Sequence, residues 1–210
     1  NDKGNFHSET QGASIGLEIR AQAFAFATND EINNMTFYSY EIINRSTFTL
    51  TNTFFSQWVD TDLGFADDDY VGCDVARGLG YCYNGTATDG NNDSQSYGND
   101  PPAVGIDFFQ GPYIDPDDRD NPDFKDVGCD IINSQFEWDP MAINGVNFGN
   151  GIKDDERFGM RRFVYHNNNQ SSQGEPTIAP EYYNYLRGIW KDNSRMLYGG
   201  NAHINSGALG

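Results

Sequence analysis

Apolar and polar residues begin to alternate at residue 15. In "SIGLEIRAQAFAFATND" (14–30), Ile15, Leu17, Ile19 and Ala21 alternate with Glu18, Arg20 and Gln22. A repeat of two places one set of side chains on a buried face and the other in water, the mark of a half-buried strand. Phe24 and Phe26 continue with the opposite parity, which predicts a bulge or a change of face. "MTFYSYEIINRS" (35–46) and "LTNTFFSQWVD" (50–60) are also rich in strand formers. With "NRST" between them they read as a hairpin. Shorter strands are expected in "GLGYCYNG" (78–85), "AVGIDFF" (103–109) and "RFGMRRFVYHNN" (157–168), with "VNFGNG" as a pairing partner for the last.

One segment carries a helical period. In "TIAPEYYNYLRGIWKDN" (177–193), Tyr182, Tyr185, Leu186 and Ile189 fall on one face at i, i+3, i+4 and i+7. Pro180 and Glu181 suit a first turn and Lys191 a last one. The pattern predicts an α-helix of about ten residues whose apolar face packs on a sheet. The expected fold is therefore all-β: a β-sandwich of jelly-roll or Ig-like type, with long acidic loops and one packed α-helix near the C-terminus. Residues 14–200 read as a single domain, 1–13 as a flexible N-terminal segment and 201–210 as a linker to a downstream region. The chain opens on Asn1 and reads as a trimmed piece of a longer product.

Composition sharpens this picture. Aromatics reach 14%, enough for a real core and unlike a disordered acidic tail. Asn, Asp, Ser, Thr and Gly dominate the polar positions and favour turns over helix interiors. The net charge of −18 repels nucleic acid and anionic lipid and attracts divalent cations. No apolar run approaches the ~20 residues of a membrane span, so direct membrane insertion is not expected. Low Lys, abundant Asn and Tyr, and Asp-rich loops suit an extracellular or outer-surface location.

The charge is concentrated. "DTDLGFADDDYVGCD" (60–74) holds six aspartates and no basic residue. Two like charges ~5 Å apart repel by roughly 3 kcal/mol at an effective dielectric near 20. A few such pairs rival a domain's net stability of about 5–15 kcal/mol. Either the stretch is a splayed, solvated loop or something positive sits among the carboxylates. Ca2+ takes six to eight hard oxygen ligands, and closely spaced Asp residues supply them. The candidate ligands are Asp60, Asp62, Asp67, Asp68, Asp69 and Asp74, with Gly64 letting the backbone fold back over an ion. "DPDDRDNPD" (115–123) offers a second set in Asp115, Asp117, Asp118 and Asp120. Asp89, Asn91, Asp93 and Asp100 match an EF-hand spacing only loosely, because Ser94 stands where that loop needs Gly. Asp154, Asp155 and Glu156 are flanked by Lys153 and Arg157, and surface ion pairs account for them.

Other chemistry is thinner. Cys73 and Cys82 flank "DVARGLGY", and a hairpin there would bring them together as a disulfide; buried free thiols are the alternative. Nucleophile-elbow, zinc-protease, P-loop and dinucleotide fingerprints are absent. Trp58 and Trp190 lie in an expected strand and helix and read as core. Trp138, in "FEWDPM", lies in an expected loop and is the better candidate for a sugar-stacking, ligand-binding role together with nearby Tyr residues.

Four longer stretches carry a family resemblance. "SQWVDTDLGFADDDYVGCDVARGLGYCYNG", "PPAVGIDFFQGPY", "NGVNFGNGIKDDERFGMRRFVYHNN" and "EYYNYLRGIWKDNSRMLYGG" resemble a recurrent segment of large secreted surface proteins exported by the type IX pathway of Bacteroidetes. The resemblance spans roughly residues 15–200. It implies an outer-surface or released protein, neighbouring β-sandwich modules and a C-terminal sorting domain beyond this chain. Relatives often carry an Asp-rich calcium loop at 115–123, which Pro116, Arg119 and Pro122 interrupt here. No catalytic residue carries over. The expected function is a calcium-stabilised surface module for adhesion, assembly or structure, with glycans, other surface proteins or further copies (an oligomer or fibre) as partners. The alternative is a carbohydrate-binding module of a secreted polysaccharide hydrolase.

Overall fold

A computed structural model gives the fold and describes residues 8, 10–74, 77–90, 94–114, 116–121, 129–132, 135–138, 145–197, 202 and 203, with backbone alone for 129–132 and 135–138. The regular structure is mainly antiparallel strands in several small sheets, with one α-helix among the described residues. The chain divides into two compact units, Asn1–Ser56 with Asn167–Gly210, and Gln57–His166. No helix among the described residues is long and apolar enough to cross a membrane.

In the first unit the alternating pattern forms a ribbon of β1 (Leu17–Ala25) and β2 (Thr36–Asn44), paired without interruption from Leu17↔Asn44 to Ala25↔Thr36. One face is fastened by charge. Arg20 bridges Glu18 (2.8 Å) and Glu41 (3.0 Å), and Arg45 reaches Glu18 (2.9 Å). The hydrogen bonds from Arg45 and Arg20 hold the Glu18 carboxyl below the usual range. Phe24 continues this face regularly and stacks on Phe37 at 5.3 Å, with Phe26 edge-on to both. The expected bulge is therefore absent from the ladder.

The expected hairpin between 35–46 and 50–60 does not form; residues 50–60 carry no strand pairing. The Asn44 side chain explains the turn away. Its Oδ1 accepts from Ser46 N (2.9 Å) and Ser46 Oγ (2.6 Å), and its Nδ2 donates to Phe48 O (2.8 Å). Such a local Asx turn competes with strand continuation. Trp58, read as core, is 45% exposed.

The helix α1 (Ala179–Leu186) has Pro180 in its first turn, and Glu181 Oε2 accepts from Thr177 N and Oγ1 at its start. It stops earlier than the apolar pattern. Gly188 adopts φ +69°, Gly188 N donates to Tyr185 O and Ile189 N to Asn184 O. That pair of bonds is a Schellman termination, whose left-handed position favours glycine. Ile189 and Trp190, which follow the turn, are buried. Tyr185 and Ile189 are 5% exposed and Trp190 is fully buried, while Leu186, expected in the stripe, is 38% exposed.

The second unit holds β3 (Asp69–Asp74), β4 (Leu79–Asn84), β5 (Thr88–Asp89), β6 (Gly98–Asn99), β7 (Ala103–Asp107), β8 (Cys129–Ile132), β9 (Gln135–Trp138), β10 (Gly145–Val146) and β11 (Arg157–Phe158). The largest sheet is β3-β4-β7, and β5-β6, β8-β9 and β10-β11 are two-stranded. Three outcomes differ from the sequence reading. The last six residues of the acidic run form a strand. Trp138 ends strand β9 instead of lying in a loop, its side chain being outside the described residues. The expected strand over 157–168 shrinks to Arg157 and Phe158, which do pair with β10 as expected.

The register of β3 on β4 decides the cysteines. Cys82 faces Val71 and Cys73 faces Gly80, so the two thiols lie on one side of the hairpin but two positions out of step. Diagonal neighbours in a ladder sit about 7–8 Å apart, too far for a disulfide. Both are free thiols, Cys82 buried and Cys73 half-buried. Burial, then the Asp74 charge, raises the Cys73 thiol pKa above its ordinary value. Alkylation of the unfolded, unreduced protein should label both residues. A peptide mass showing Cys73 joined to Cys82 would overturn this register.

Candidate cation site

The acidic stretch begins with exposed residues. Asp60, Asp62 and Asp67 all face solvent. A short 3-10 turn, Ala66–Asp68, then delivers Asp68 and Asp69 to the start of β3. Gly85 N donates to Asp68 O (2.8 Å), and Asp69 is the ladder partner of Asn84. Asp74, at the other end of β3, is held by Arg77, whose backbone and guanidinium both bond to it. The fold thus groups Asp68 and Asp69 and parts them from the other four.

Asp89 lies next to this pair and organises the loops around it. It is fully buried. Its Oδ1 accepts from Phe65 N (2.9 Å) and its Oδ2 from Tyr97 N. Gly64, at φ +74°, makes this possible: a Cβ there would fall 2.0 Å from Asp89 Oδ2. Asp68 Oδ2 in turn accepts from Gly90 N (3.0 Å).

Among the described residues, the remaining oxygens have no donor in hydrogen-bond geometry. Asp68 Oδ1, both carboxylate oxygens of Asp69, and Asn84 Oδ1 are buried without a hydrogen-bond partner. The orientation of Asn84 is fixed by its other end, since Nδ2 donates to Thr86 O (2.8 Å) and Thr88 O (3.2 Å). Only an oxygen is left to face inward. Burial is the largest cause raising the Asp69 pKa above the ordinary value, and the charges of Asp68 and Asp89 add to it. The Leu63 amide draws it down, from outside hydrogen-bond geometry. Buried polar oxygens without donors cost about 1–3 kcal/mol each, and more when charged. Four of them in one patch form a set of hard acceptors, the ligand type Ca2+ prefers. Among the described residues no group of three or more His, Cys, Asp or Glu side chains is arranged to hold a metal; the set here is two carboxylates and an amide.

The second acidic loop resolves differently. Asp115 lies outside the described residues. Asp117 Oδ1 accepts from Arg119 N (3.0 Å), and Asp118 is exposed and paired with Lys153 (2.9 Å). Asp120 Oδ2 accepts from Gly151 N (2.6 Å), leaving Oδ1 buried and unpartnered. The facing loop answers in kind. Asp154 Oδ1 accepts from both Asp117 N (2.8 Å) and Asp118 N (2.9 Å), and the buried Glu156 accepts from Asn121 N. Surface ion pairs do not explain Asp154–Glu156, as the sequence had suggested. Backbone amides hold Asp154 and Glu156, the Asn150 side-chain amide donates to the Asp155 carboxylate (3.1 Å), and Arg157 instead lies over the Tyr113 ring at 3.6 Å.

In the other unit, His203 gathers Asp192 and two serines. Its Nε2 lies 2.7 Å from Asp192 Oδ2, 3.1 Å from Ser194 Oγ and 3.3 Å from Ser172 Oγ. The residue types are those of a catalytic triad, but a triad needs the acid and the serine on opposite ring nitrogens. Here all three share one nitrogen, so the group is a structural knot against Trp190, whose ring centroid is 5.2 Å away.

No family model, curated protein or solved structure matches this chain.

Asp192 carries a pH consequence. Burial pushes its pKa up, but hydrogen bonds from Ser194 and His203 outweigh this and hold it below the ordinary value. A depressed folded pKa stabilises the fold above the unfolded value near 3.9, and the gain disappears as pH falls through the folded value. Asp192→Asn should therefore lower the melting temperature at pH 7, with the difference from the parent narrowing below about pH 4. A deficit of constant size down to pH 2.5 in a melting series would contradict this.

Proposed function

We propose that this chain is a calcium-stabilised β-module of a secreted or cell-surface protein, with a role in adhesion, surface assembly or structure. The observation that carries the reading is the patch of four buried, donorless oxygens on Asp68, Asp69 and Asn84. A divalent cation there would cancel the repulsion between adjacent carboxylates and replace the missing donors. Backbone carbonyls and water would complete a shell of six to eight oxygens. Asp68, Asp69 and Asn84 are the proposed ligands, with Asp89 holding the loops around them. The acidic surface fits a location outside the cell, where calcium is plentiful, and disfavours nucleic acid as a partner. Export by the Bacteroidetes type IX route belongs to the same reading and rests on the quoted segments. So does a β-sandwich, jelly-roll or Ig-like, as the architecture to which the small antiparallel sheets belong.

Asp69→Asn separates this reading from a plain acidic loop by a change of sign. A carboxyl with a raised folded pKa opposes folding at neutral pH, and the penalty lifts as pH falls through that value. In chelator, therefore, Asp69→Asn should melt higher than the parent. With calcium the order should reverse, because saturation at 100 times Kd adds about 2.7 kcal/mol to the parent alone. Asp60→Asn should respond to calcium as the parent does. A parent melting temperature unmoved by millimolar calcium, or an equal rise in Asp69→Asn, would sink the proposal.

A further inference from the structure

The sheet that carries Asp69 and Asn84 on one face carries tyrosines on the other. Ladder parity puts Tyr70 and Gly72 of β3 beside Tyr83 and Tyr81 of β4, with Tyr70 opposite Tyr83 and Gly72 opposite Tyr81. The rings form a row. Tyr70 and Tyr83 have centroids 6.1 Å apart at 30°, and Tyr83 and Tyr81 6.0 Å apart at 41°. All three are open to solvent, at 60%, 44% and 38% for Tyr70, Tyr83 and Tyr81.

Glycines let the outer rings lie down. A Cβ on Gly72 would sit 2.5 Å from the Tyr81 ring, and one on Gly85 would sit 2.2 Å from the Tyr70 ring. Each ring thus rests one side on bare backbone and turns the other outward. The neighbouring strand adds no bulk, since Ala103 and Gly105 of β7 stand beside Tyr83 and Tyr81. The row is bordered by a shallow, small-residue strip.

We propose that Tyr70, Tyr83 and Tyr81 form a stacking platform for an uncharged oligosaccharide. A pyranose ring offers C–H groups on its flat side and hydroxyls at its rim. A tyrosine lying flat offers a π face, whose negative quadrupole attracts C–H, and a hydroxyl at its edge. Charge narrows the class. The ionisable residues that parity places on this face besides the tyrosines are Asp74 and Asp107, and the chain carries −18. An anionic glycan or a nucleic acid strand would meet only repulsion. This goes beyond the cation reading and uses the opposite side of the sheet.

The test is calorimetric titration of the full chain, in calcium, with gluco-, xylo- and manno-hexaoses and with a galacturonate hexamer as charged counterpart. At least one neutral hexaose should bind saturably and the uronate should not. Tyr83→Ala should weaken binding roughly tenfold or more. Gly72→Val keeps every tyrosine and favours the strand, yet lifts Tyr81 off the backbone. It should weaken binding as well, without lowering the melting temperature. The proposal is overturned if no neutral hexaose binds, if the uronate binds more tightly, or if affinity survives both substitutions. It is also overturned if sedimentation shows copies associating through Tyr83 in place of glycan. Affinity for a neutral hexaose in chelator, alongside a calcium-insensitive melt, would leave the platform standing while the cation reading fell.

Discussion

Carboxylate oxygens accepting hydrogen bonds from backbone N–H groups hold the loops of this protein in place. A loop has no ladder to satisfy its amides, and a buried amide without an acceptor is costly. Here aspartate and glutamate side chains stand in for the missing strand. Asp89 takes two amides from separate segments, Asp154 takes two from the facing loop, and Asp120 and Glu156 take one each. A hydrogen bond to a charged group is worth about 1.5–3 kcal/mol. Each also places the positive end of a peptide dipole against a negative charge. The crowding of acid along the chain is in large part a supply of strong acceptors for backbone that has no other partner.

Asp68, Asp69 and Asn84 are instructive because they break that rule. Among the described residues no amide reaches their free oxygens in hydrogen-bond geometry, the Leu63 amide near Asp69 included, although amides elsewhere in the same loops were captured efficiently. The patch also sits where it has structural leverage. Asp69 and Asn84 face each other at one end of the β3-β4 ladder, and Tyr70 and Tyr83 are the next pair along, on the opposite side. A cation tying Asp69 to Asn84 would brace the same end of the sheet on which the tyrosine row stands. Support for one face and recognition on the other would then share a backbone.

Much of the fold was legible in local pattern. The alternating run from residue 15, the strand-rich run at 35–46, the short strands in 78–85 and 103–109, and the start of the helix around Pro180 all carry the elements expected of them. What local pattern could not supply was the choice of partner. The run at 50–60 has good strand composition, but β1 gives β2 nine matched positions and Asn44 turns the chain aside. The helix lost its last apolar turn to Gly188, a residue whose left-handed conformation is visible only once the chain is folded. The site shows the same division. Asp68 and Asp69 stood among the acidic candidates. Asn84 did not, because its relevance depends on the β3-β4 register and on Thr86 and Thr88 claiming its amide nitrogen. Asp89 looked like a fragment of a calcium loop and proved to be a buried clasp for Phe65 and Tyr97. The second acidic loop misled because the donors to Asp117 and Asp120 are main-chain groups, which no side-chain pattern reveals.

The two-step offset between Cys73 and Cys82 has a bearing on oxidation. A slip of two residues would align the thiols without turning any side chain to the other face, so alternation alone does not keep them apart. The pairing of Tyr70 with Tyr83, and the second ladder that β4 makes with β7, fix the alignment that does. One sulfur is then sealed from oxidants and the other is reluctant to ionise, and it is the thiolate that reacts. The register of this hairpin, and not a lack of cysteines, is thus what leaves both as thiols.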